Sequence, residues 1–230
     1  MDLSKSFEVF NPNLCKEKIH IIGCGSVGST VAELLARYGL ENFVLYDFDV
    51  VEPKNLNNQM FTRRDIGKNK AQAVKDMIID INPDAKDTIT VVEDGWVAGT
   101  RLNGIVVLAV DSIEVRKAIC NENKLNVFMK AVFDFRTRLH DAQHYGVNWV
   151  LSKEKKNFIE NTMDFTNAEA VAETPVSACG EILGVAHTVR LISTMGVINI
   201  INFIKDPKSV KKMIFTNTAD LNSEDIVTTI

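Results

Sequence analysis

The chain has 230 residues, of which 46% are hydrophobic and 24% are charged, and its formal net charge is -4 at pH 7. This size favours one domain with a large core, and the slightly acidic balance argues against a general nucleic-acid-binding protein. The four cysteines contain no C-x-x-C pair, which argues against a disulfide framework and a structural zinc site and favours a reducing compartment.

The first residues, Met-Asp-Leu-Ser-Lys, lack the apolar core of an export signal, so we expect a cytoplasmic protein. The most hydrophobic stretch, residues 182–204, is interrupted by polar residues, and its densest part is too short for a membrane span. We therefore expect no membrane association and predict a helix that is buried or lies at a subunit interface.

A glycine motif follows the first apolar run. Residues 19–22, Ile-His-Ile-Ile, are typical of a buried parallel strand, and a helical repeat covers residues 29–38. Between them Gly23, Gly25 and Gly28 form G-x-G-x-x-G. The first glycine permits a tight turn, the second lets the backbone approach a phosphate, and the third lets helix and strand pack closely. Because the N–H groups in the first turn of a helix lack partners, an anion is favoured there.

The second strand, residues 43–47, ends in a carboxylate. Asp47 follows Gly28 by 19 residues, close to the ~20-residue spacing at which an acidic residue reaches a ribose hydroxyl. Strand, glycine turn, helix, strand and acid together predict a nucleotide-binding unit.

Strands and helices then alternate. A helix is predicted over 68–81, a short strand over 88–92, an apolar strand over 105–110 that ends at Asp111, a helix through Glu122 and a strand near 127–132. This alternation predicts an α/β fold with a doubly wound, mostly parallel Rossmann-like sheet. Ligands bind beyond the carboxyl ends of the strands in such sheets, where Gly23, Asp47 and Asp111 all fall.

The C-terminal part has a different character. Residues 143–151 and 211–218 predict an antiparallel extension of the sheet, residues 161–174 predict a mobile loop, and a long apolar helix is predicted from Gly180. We interpret the chain as a single domain, which comprises an irregular N-terminal segment, 1–18, a Rossmann-like core, 19–135, and a part with antiparallel strands, loop and interface helix, 136–230.

The tract after the second strand is the most specific signal. Residues 47–59 read D-F-D-V-V-E-P-K-N-L-N-N-Q, and residues 65–71 read D-I-G-K-N-K-A. This tract resembles the ThiF/MoeB/HesA family of ubiquitin-activating-enzyme-like adenylyltransferases, whose pattern is D-x-D-x-V-x-x-x-N-L-N-R-Q followed by D-I-G-x-x-K-A. The resemblance runs from residue 19 to about residue 132 and resumes more loosely over 174–202. Because it rests on several ordered motifs, a chance Rossmann look-alike is a poor explanation.

The resemblance implies an enzyme that uses ATP and Mg²⁺ to join the C-terminal carboxylate of a ubiquitin-like or sulfur-carrier protein, ending in glycine, to AMP. It also implies a homodimer. By motif position Asp47 would bind the ribose, Lys70 the phosphates and Asp111 the Mg²⁺, and the triphosphate side would be shaped by Asp49, Asn55 and Gln59. These residue types suit the chemistry, because a fixed ammonium group and a metal ion stabilise the charge that builds up on phosphoryl oxygens.

One position departs from the family pattern. Asn58 stands where the family has arginine, so a phosphate-binding guanidinium is missing, and Arg63 or Arg64 is the candidate to replace it. If neither does, the protein would be a catalytically weak or inactive nucleotide-binding scaffold.

Two further alternatives stay open. Cys179 precedes the last long helix, where some relatives use a thiol to accept the activated acyl group; otherwise it is a small residue packed against the sheet. An NAD-dependent oxidoreductase would share the glycine motif and Asp47, but it leaves Asn55, Gln59 and Lys70 unexplained.

Arginines after the fifth strand are also ambiguous. Arg136 and Arg138 either hold a protein tail or a phosphate, or they are solvated.

Overall fold

One mixed sheet organises the molecule, for which a computed structural model describes residues 1–178, 183–219 and 227–229. The strands are β1 (Ile19–Ile22), β2 (Phe43–Tyr46), β3 (Thr90–Val92), β4 (Gly104–Leu108), β5 (Met129–Thr137), β6 (Asp141–Asn148), β7 (Met213–Asn217) and β8 (Val227–Thr229). The helices are α1 (Ser26–Arg37), α2 (Lys70–Ile81), α3 (Ile113–Glu122), α4 (Ser152–Thr162), α5 (Asn167–Ala172) and α6 (Ala186–Lys205).

The strand order, β3-β2-β1-β4-β5-β6-β7-β8, confirms the predicted fold class. The pairs from β3 to β5 are parallel, and those from β5 to β8 are antiparallel. Because the chain moves outward in opposite directions from β1 and β4, a crevice forms at their carboxyl ends.

Two apolar layers cover the faces of the sheet. Ile19 and Ile21 of β1 point toward the layer that contains α1, α2 and α6, whereas Ile22 points toward the layer that contains α3 and α4. Both central strands β1 and β4 are buried throughout, as the uninterrupted apolar runs predict.

Helix boundaries correct the sequence prediction in two places. Helix α1 begins at Ser26, within the glycine motif, rather than at residue 29. The loop predicted over 161–174 is wrong in two parts, because α4 continues to Thr162 and α5, which a capping box between Thr166 and Glu169 initiates, spans Asn167–Ala172. Gly180, the predicted start of the long helix, lies outside the described residues, and the described helix α6 begins at Ala186.

Helix α6 is the one described helix that is long and apolar enough to cross a membrane, yet 56% of its most apolar window is buried within the protein. It packs against α1 and against β5, β6 and β7. These contacts are those of a core helix, and the homodimer interface predicted for this helix stays a prediction.

Candidate active site

The glycine turn connects β1 to α1. Gly23 has a φ of 92°, and a Cβ there would lie 2.6 Å from the carbonyl oxygen of Ala109. A Cβ on Gly28 would lie 1.8 Å from the carbonyl oxygen of Gly23, whereas a Cβ on Gly25 would meet nothing closer than the Gln59 side chain, at 4.0 Å. Close backbone packing therefore requires glycine at positions 23 and 28, and the space above Gly25 is open to a ligand.

Asp47 holds this turn in place. Its carboxylate, which is 9% exposed, accepts hydrogen bonds from the backbone N–H of Cys24 at 2.6 Å and of Asp49 at 2.9 Å. Burial raises the pKa of Asp47, and these two hydrogen bonds oppose that rise. Asp47 thus lies beside the glycine turn, as predicted. Its contact with a ribose stays a prediction.

Lys70 begins α2 and reaches the same edge of the sheet. Its buried side chain donates from Nζ to Oδ2 of Asp49 at 2.7 Å. The Asp49 carboxylate is half exposed, so the pair lies at the mouth of the crevice. The structure thus brings together the glycine turn, Asp47, Asp49 and Lys70.

Asn69 positions Lys70 and was not recognised in the sequence. Its side-chain oxygen accepts from the N–H groups of Ala71 and Gln72, which caps α2, and its Nδ2 donates to the carbonyl oxygen of Asp47 at 2.8 Å. An asparagine at the start of a predicted helix is the signal that could have identified it.

The segment between β2 and α2 contains the predicted triphosphate residues. Asn55 is buried in the short 3₁₀ turn Pro53–Asn57, and its side-chain oxygen accepts from the N–H of Glu52 at 2.8 Å. The side chain of Gln59 faces Gly25, and its buried Oε1 has no hydrogen-bond partner within the described part of the chain. Asn55 therefore shapes the segment, whereas Gln59 offers an unsatisfied polar group beside the turn.

Asp111 follows β4 on the opposite side of the glycine turn. Its carboxylate is exposed, and across the described ranges it has no hydrogen-bond or ion-pair partner. Those ranges contain no group of three or more His, Cys, Asp or Glu side chains that could hold a metal ion. A cation at Asp111 would need phosphate oxygens and water as its other ligands, which is the arrangement that Mg²⁺ commonly accepts.

Neither Arg63 nor Arg64, the candidates to replace the arginine that the family has at position 58, is held in place at the site by a described residue. The Nδ2 of Asn58 donates to the carbonyl oxygen of Gly184 at 3.3 Å. Arg63 and Arg64 are exposed in the 3₁₀ turn Arg63–Asp65, and neither contacts a partner in residues 1–178, 183–219 or 227–229. That one of them serves the site stays a prediction.

A buried ionic network supports the ends of β4 and β5. The guanidinium groups of Arg116 and Arg136 each donate a hydrogen bond to the fully buried carboxylate of Asp134. Arg116 also donates to the carbonyl oxygens of Leu108 at 3.2 Å and Phe135 at 2.8 Å, so it fixes the strand end that precedes Asp111. Burial, together with nearby Arg136, lowers the pKa of Arg116 to about 9.

The two ambiguous arginines, of which Arg136 lies within β5 and Arg138 directly follows it, thus have structural partners. Arg136 stacks over the ring of Tyr145 at 4.8 Å in addition to its bond with Asp134. Arg138 forms exposed ion pairs with Asp141 and Glu173.

The cysteines do not test the thiol prediction. Cys179 lies outside the described residues. Cys24 and Cys120 are buried, and burial raises the pKa of both thiols, that of Cys120 to about 12. Neither is therefore a reactive thiolate.

A cavity of about 520 Å³ lies at the opposite end of the sheet, beside the amino-terminal ends of β4 and β5. Its lining residues fall within 99–103 and 122–128, two segments that precede β4 and β5. It is separate from the crevice in which the predicted residues meet.

Comparisons with known proteins confirm the predicted family and fold. A family model described as ThiF family matches residues 6–229. Ubiquitin-like modifier-activating enzyme 5 of Drosophila persimilis is 34% identical over 151 residues, which cover 57% of this chain and 38% of that protein. The same enzyme of Culex quinquefasciatus is 33% identical over 150 residues, with 57% and 37% covered. The chain thus spans well under half the length of these curated relatives.

Solved structures show the same fold. The crystal structure of E. coli MccB with ATP has a TM-score of 0.67 at 20% identity, covering 94% of this chain and 64% of that one. E. coli MccB alone has a TM-score of 0.70 at 18% identity, covering 95% and 63%.

Proposed function

The chain belongs to the ThiF family, and from this premise we propose that it is an ATP-dependent adenylyltransferase. The reaction would join the C-terminal carboxylate of a ubiquitin-like protein or peptide to AMP and release pyrophosphate. The observation that carries the proposal is the convergence of the glycine turn, the Lys70–Asp49 pair and Asp111 at the carboxyl ends of neighbouring strands.

Each part of the crevice has a task in this reaction. The N–H groups of the glycine turn and the ammonium group of Lys70 would bind phosphate oxygens and stabilise the charge that develops during attack on the α-phosphate. Asp111 would hold Mg²⁺, which when bound neutralises further phosphate charge. The attacking group is already a carboxylate, so no general base is needed. Asp49 would release Lys70 to the phosphates.

The acceptor is proposed from the relatives. The curated relatives are named as ubiquitin-like modifier-activating enzymes, and MccB has been crystallised with MccA. By analogy we propose a small protein or peptide, with a C-terminal glycine tail or a sulfur-carrier function, as the substrate. A homodimer, a cytoplasmic location and acyl transfer to Cys179 remain predictions.

ATP–pyrophosphate exchange tests the proposal. The wild type, Lys70→Ala and Asp111→Ala would be assayed with candidate ubiquitin-like proteins that end in glycine. Loss of a charge-stabilising group predicts a fall of about 100-fold or more in exchange for both variants. Lys68→Ala is the matched control, because Lys68 forms ion pairs with Asp65 and Asp76 instead. Unchanged exchange in both site variants would rule out the assignment.

The inactive scaffold is the second candidate. It is favoured by Asn58, whose side chain is occupied by Gly184, and by the exposed, unpartnered state of Arg63 and Arg64 within the described chain. Calorimetric binding of ATP and Mg²⁺ without any exchange would support it.

A further inference from the structure

A guanidinium group from the far end of the chain lies beside the start of α1. Nη1 of Arg190, on α6, donates to Oγ1 of Thr30 at 2.5 Å and also contacts the sulfur of Met60. The Thr30 hydroxyl in turn donates to the carbonyl oxygen of Ser26 at 2.8 Å, so it lies one turn from the beginning of the helix. Arg190 therefore bridges three segments that the sequence separates widely.

Within residues 1–178, 183–219 and 227–229 the guanidinium of Arg190 has no counter-ion. Arg190 is partly buried, yet its partners are a hydroxyl and a thioether, and no carboxylate in the described residues pairs with it. The partly or fully buried guanidiniums of Arg116 and Arg136 both share the carboxylate of Asp134. A guanidinium has five N–H donors, and a charge that is removed from water is normally paired. Among the described residues, then, none supplies an anion to Arg190.

The location indicates which anion is missing. Met60 directly follows Gln59, whose side chain faces Gly25. The backbone N–H of Met60 donates to Oγ of Ser29, in the first turn of α1, at 3.2 Å. Arg190 consequently borders the N-terminal turn of α1, where unpaired N–H groups and the helix dipole already favour negative charge.

We propose that Arg190 binds the phosphate chain of a nucleotide held at the glycine turn. This inference rests on the proposed function and assigns to α6 the guanidinium that Asn58 does not supply. The thioether of Met60 is a weak acceptor, so a phosphate oxygen would displace it from Arg190 readily, and bidentate contact would orient the phosphates toward Lys70. The group would bind and position the substrate without taking or giving a proton.

Calorimetric titration of the intact chain tests this assignment with two probes. MgATP reports phosphate binding, and adenosine, which carries no phosphate, reports the integrity of the rest of the site. Arg190→Gln should weaken MgATP binding by about 10- to 100-fold, the effect of losing a charged hydrogen bond, and leave adenosine binding unchanged. Arg190→Lys, which keeps the charge but not the fork, should lose less.

Matched controls and competing variants make the result decisive. Arg37→Gln removes a guanidinium from α1 that is paired with Glu33, and it should bind MgATP as the wild type does. Arg63→Gln and Arg64→Gln test the alternative sources of the guanidinium. If Arg190→Gln fails to fold, Arg190→Lys and competition by inorganic pyrophosphate take its place, and a pyrophosphate affinity equal to the wild-type value would overturn the inference.

Three other results would also overturn it. These are wild-type MgATP affinity in Arg190→Gln, an equal loss of MgATP and adenosine binding in that variant, and a loss confined to Arg63→Gln or Arg64→Gln. A wild-type protein that binds neither probe would instead contradict the proposed function.

Discussion

The carboxylate of Asp47 accepts a hydrogen bond of 2.6 Å from the backbone N–H of Cys24, and this contact ties the end of β2 to the glycine turn. Its other oxygen accepts from the N–H of Asp49 at 2.9 Å. A residue whose predicted partner is a ribose hydroxyl thus also shapes the turn above which the phosphates would lie. The two tasks are compatible, because each carboxylate oxygen has more than one lone pair.

Replacement of Asp47 should therefore affect stability as well as binding. Asp47→Ala leaves the N–H groups of Cys24 and Asp49 without their acceptor, so we expect the free energy of unfolding to fall by about 1–3 kcal/mol. Urea denaturation measures this change. Asp80→Ala, on the exposed side of α2, is the control and should stay within about 0.5 kcal/mol of the wild type. Equal stability of the two variants would contradict the structural task of Asp47.

Two glycines of the turn should respond differently to the same substitution. Gly28→Ala places a Cβ 1.8 Å from the carbonyl oxygen of Gly23, so it should disrupt packing and lower the unfolding free energy. Gly25→Ala meets only the Gln59 side chain, at 4.0 Å, so the fold should tolerate it while the methyl group obstructs a phosphate. We expect Gly25→Ala to keep most of its stability and lose at least about 10-fold in MgATP affinity, since one displaced charged hydrogen bond costs that much. Strong destabilisation by Gly25→Ala with intact binding in Gly28→Ala would be the reverse of this result.

Local patterns predicted the centre of the sheet well. The runs that became β1, β2 and β4 are short and apolar, and each is followed by glycine or aspartate, which leaves little choice of element. The sequence prediction has a loop in place of α5 because residues 161–174 are rich in polar side chains, although the capping box of Thr166 and Glu169 is a local signal for this helix. Further support comes from a distant part of the chain. The side-chain oxygen of Asn167 accepts from the N–H of Ile113 at 2.7 Å and its own N–H donates to Glu114, so α5 is held by the start of α3.

The same limit applies to the site. Asp47, Asp49 and Lys70 belong to one ordered motif, and their proximity follows from its spacing. Arg190 and Thr30 are 160 residues apart along the chain, and no local pattern joins them. The role of Asp134 could not be predicted either, because a single acidic residue next to a predicted strand does not indicate that two arginines will bind it.

The network around Asp134 should be costly to break. Asp134→Asn removes the fully buried carboxylate that is the counter-charge of Arg116 and Arg136, so we expect a loss of about 3–5 kcal/mol in unfolding free energy. The exposed pair of Arg138 with Asp141 provides the contrast, and Asp141→Asn should cost about 0–1 kcal/mol. Both values can be obtained from urea denaturation at neutral pH. Similar losses of unfolding free energy in the two variants would show that the buried network stabilises the fold no more than the exposed ion pair does.

A buried histidine should make the stability depend on pH. His144 is fully buried between α6 and the aromatic rings of Phe133 and Phe135, and burial lowers its pKa to about 3. Its Nε2 lies 3.1 Å from the Nδ2 of Asn199, which is a donor, so the ring is neutral with Nε2 as the acceptor.

The direction of the effect follows from proton binding. Below its ordinary pKa of about 6.5 the unfolded chain protonates His144, whereas the folded chain does not until about pH 3. The free energy of unfolding therefore keeps its full value above pH ~6.5 and decreases as the pH falls below it. Through His144 alone, we expect a decrease of about 2 kcal/mol between pH ~7.5 and ~5. Urea denaturation across this interval measures the slope, in a range where most carboxylates stay ionised.

His144→Gln should reduce that slope whatever it does to the stability at neutral pH, because glutamine does not titrate. Part of the slope should persist, since burial also lowers the pKa of His20. His187→Gln is the matched control, because His187 is exposed on α6, the helix that packs over His144, and this variant should keep the wild-type slope. If His144→Gln shows the same dependence between pH ~7.5 and ~5 as the wild type, then the imidazole is not held neutral by burial, and the packing of α6 on β6 is looser than the structure indicates.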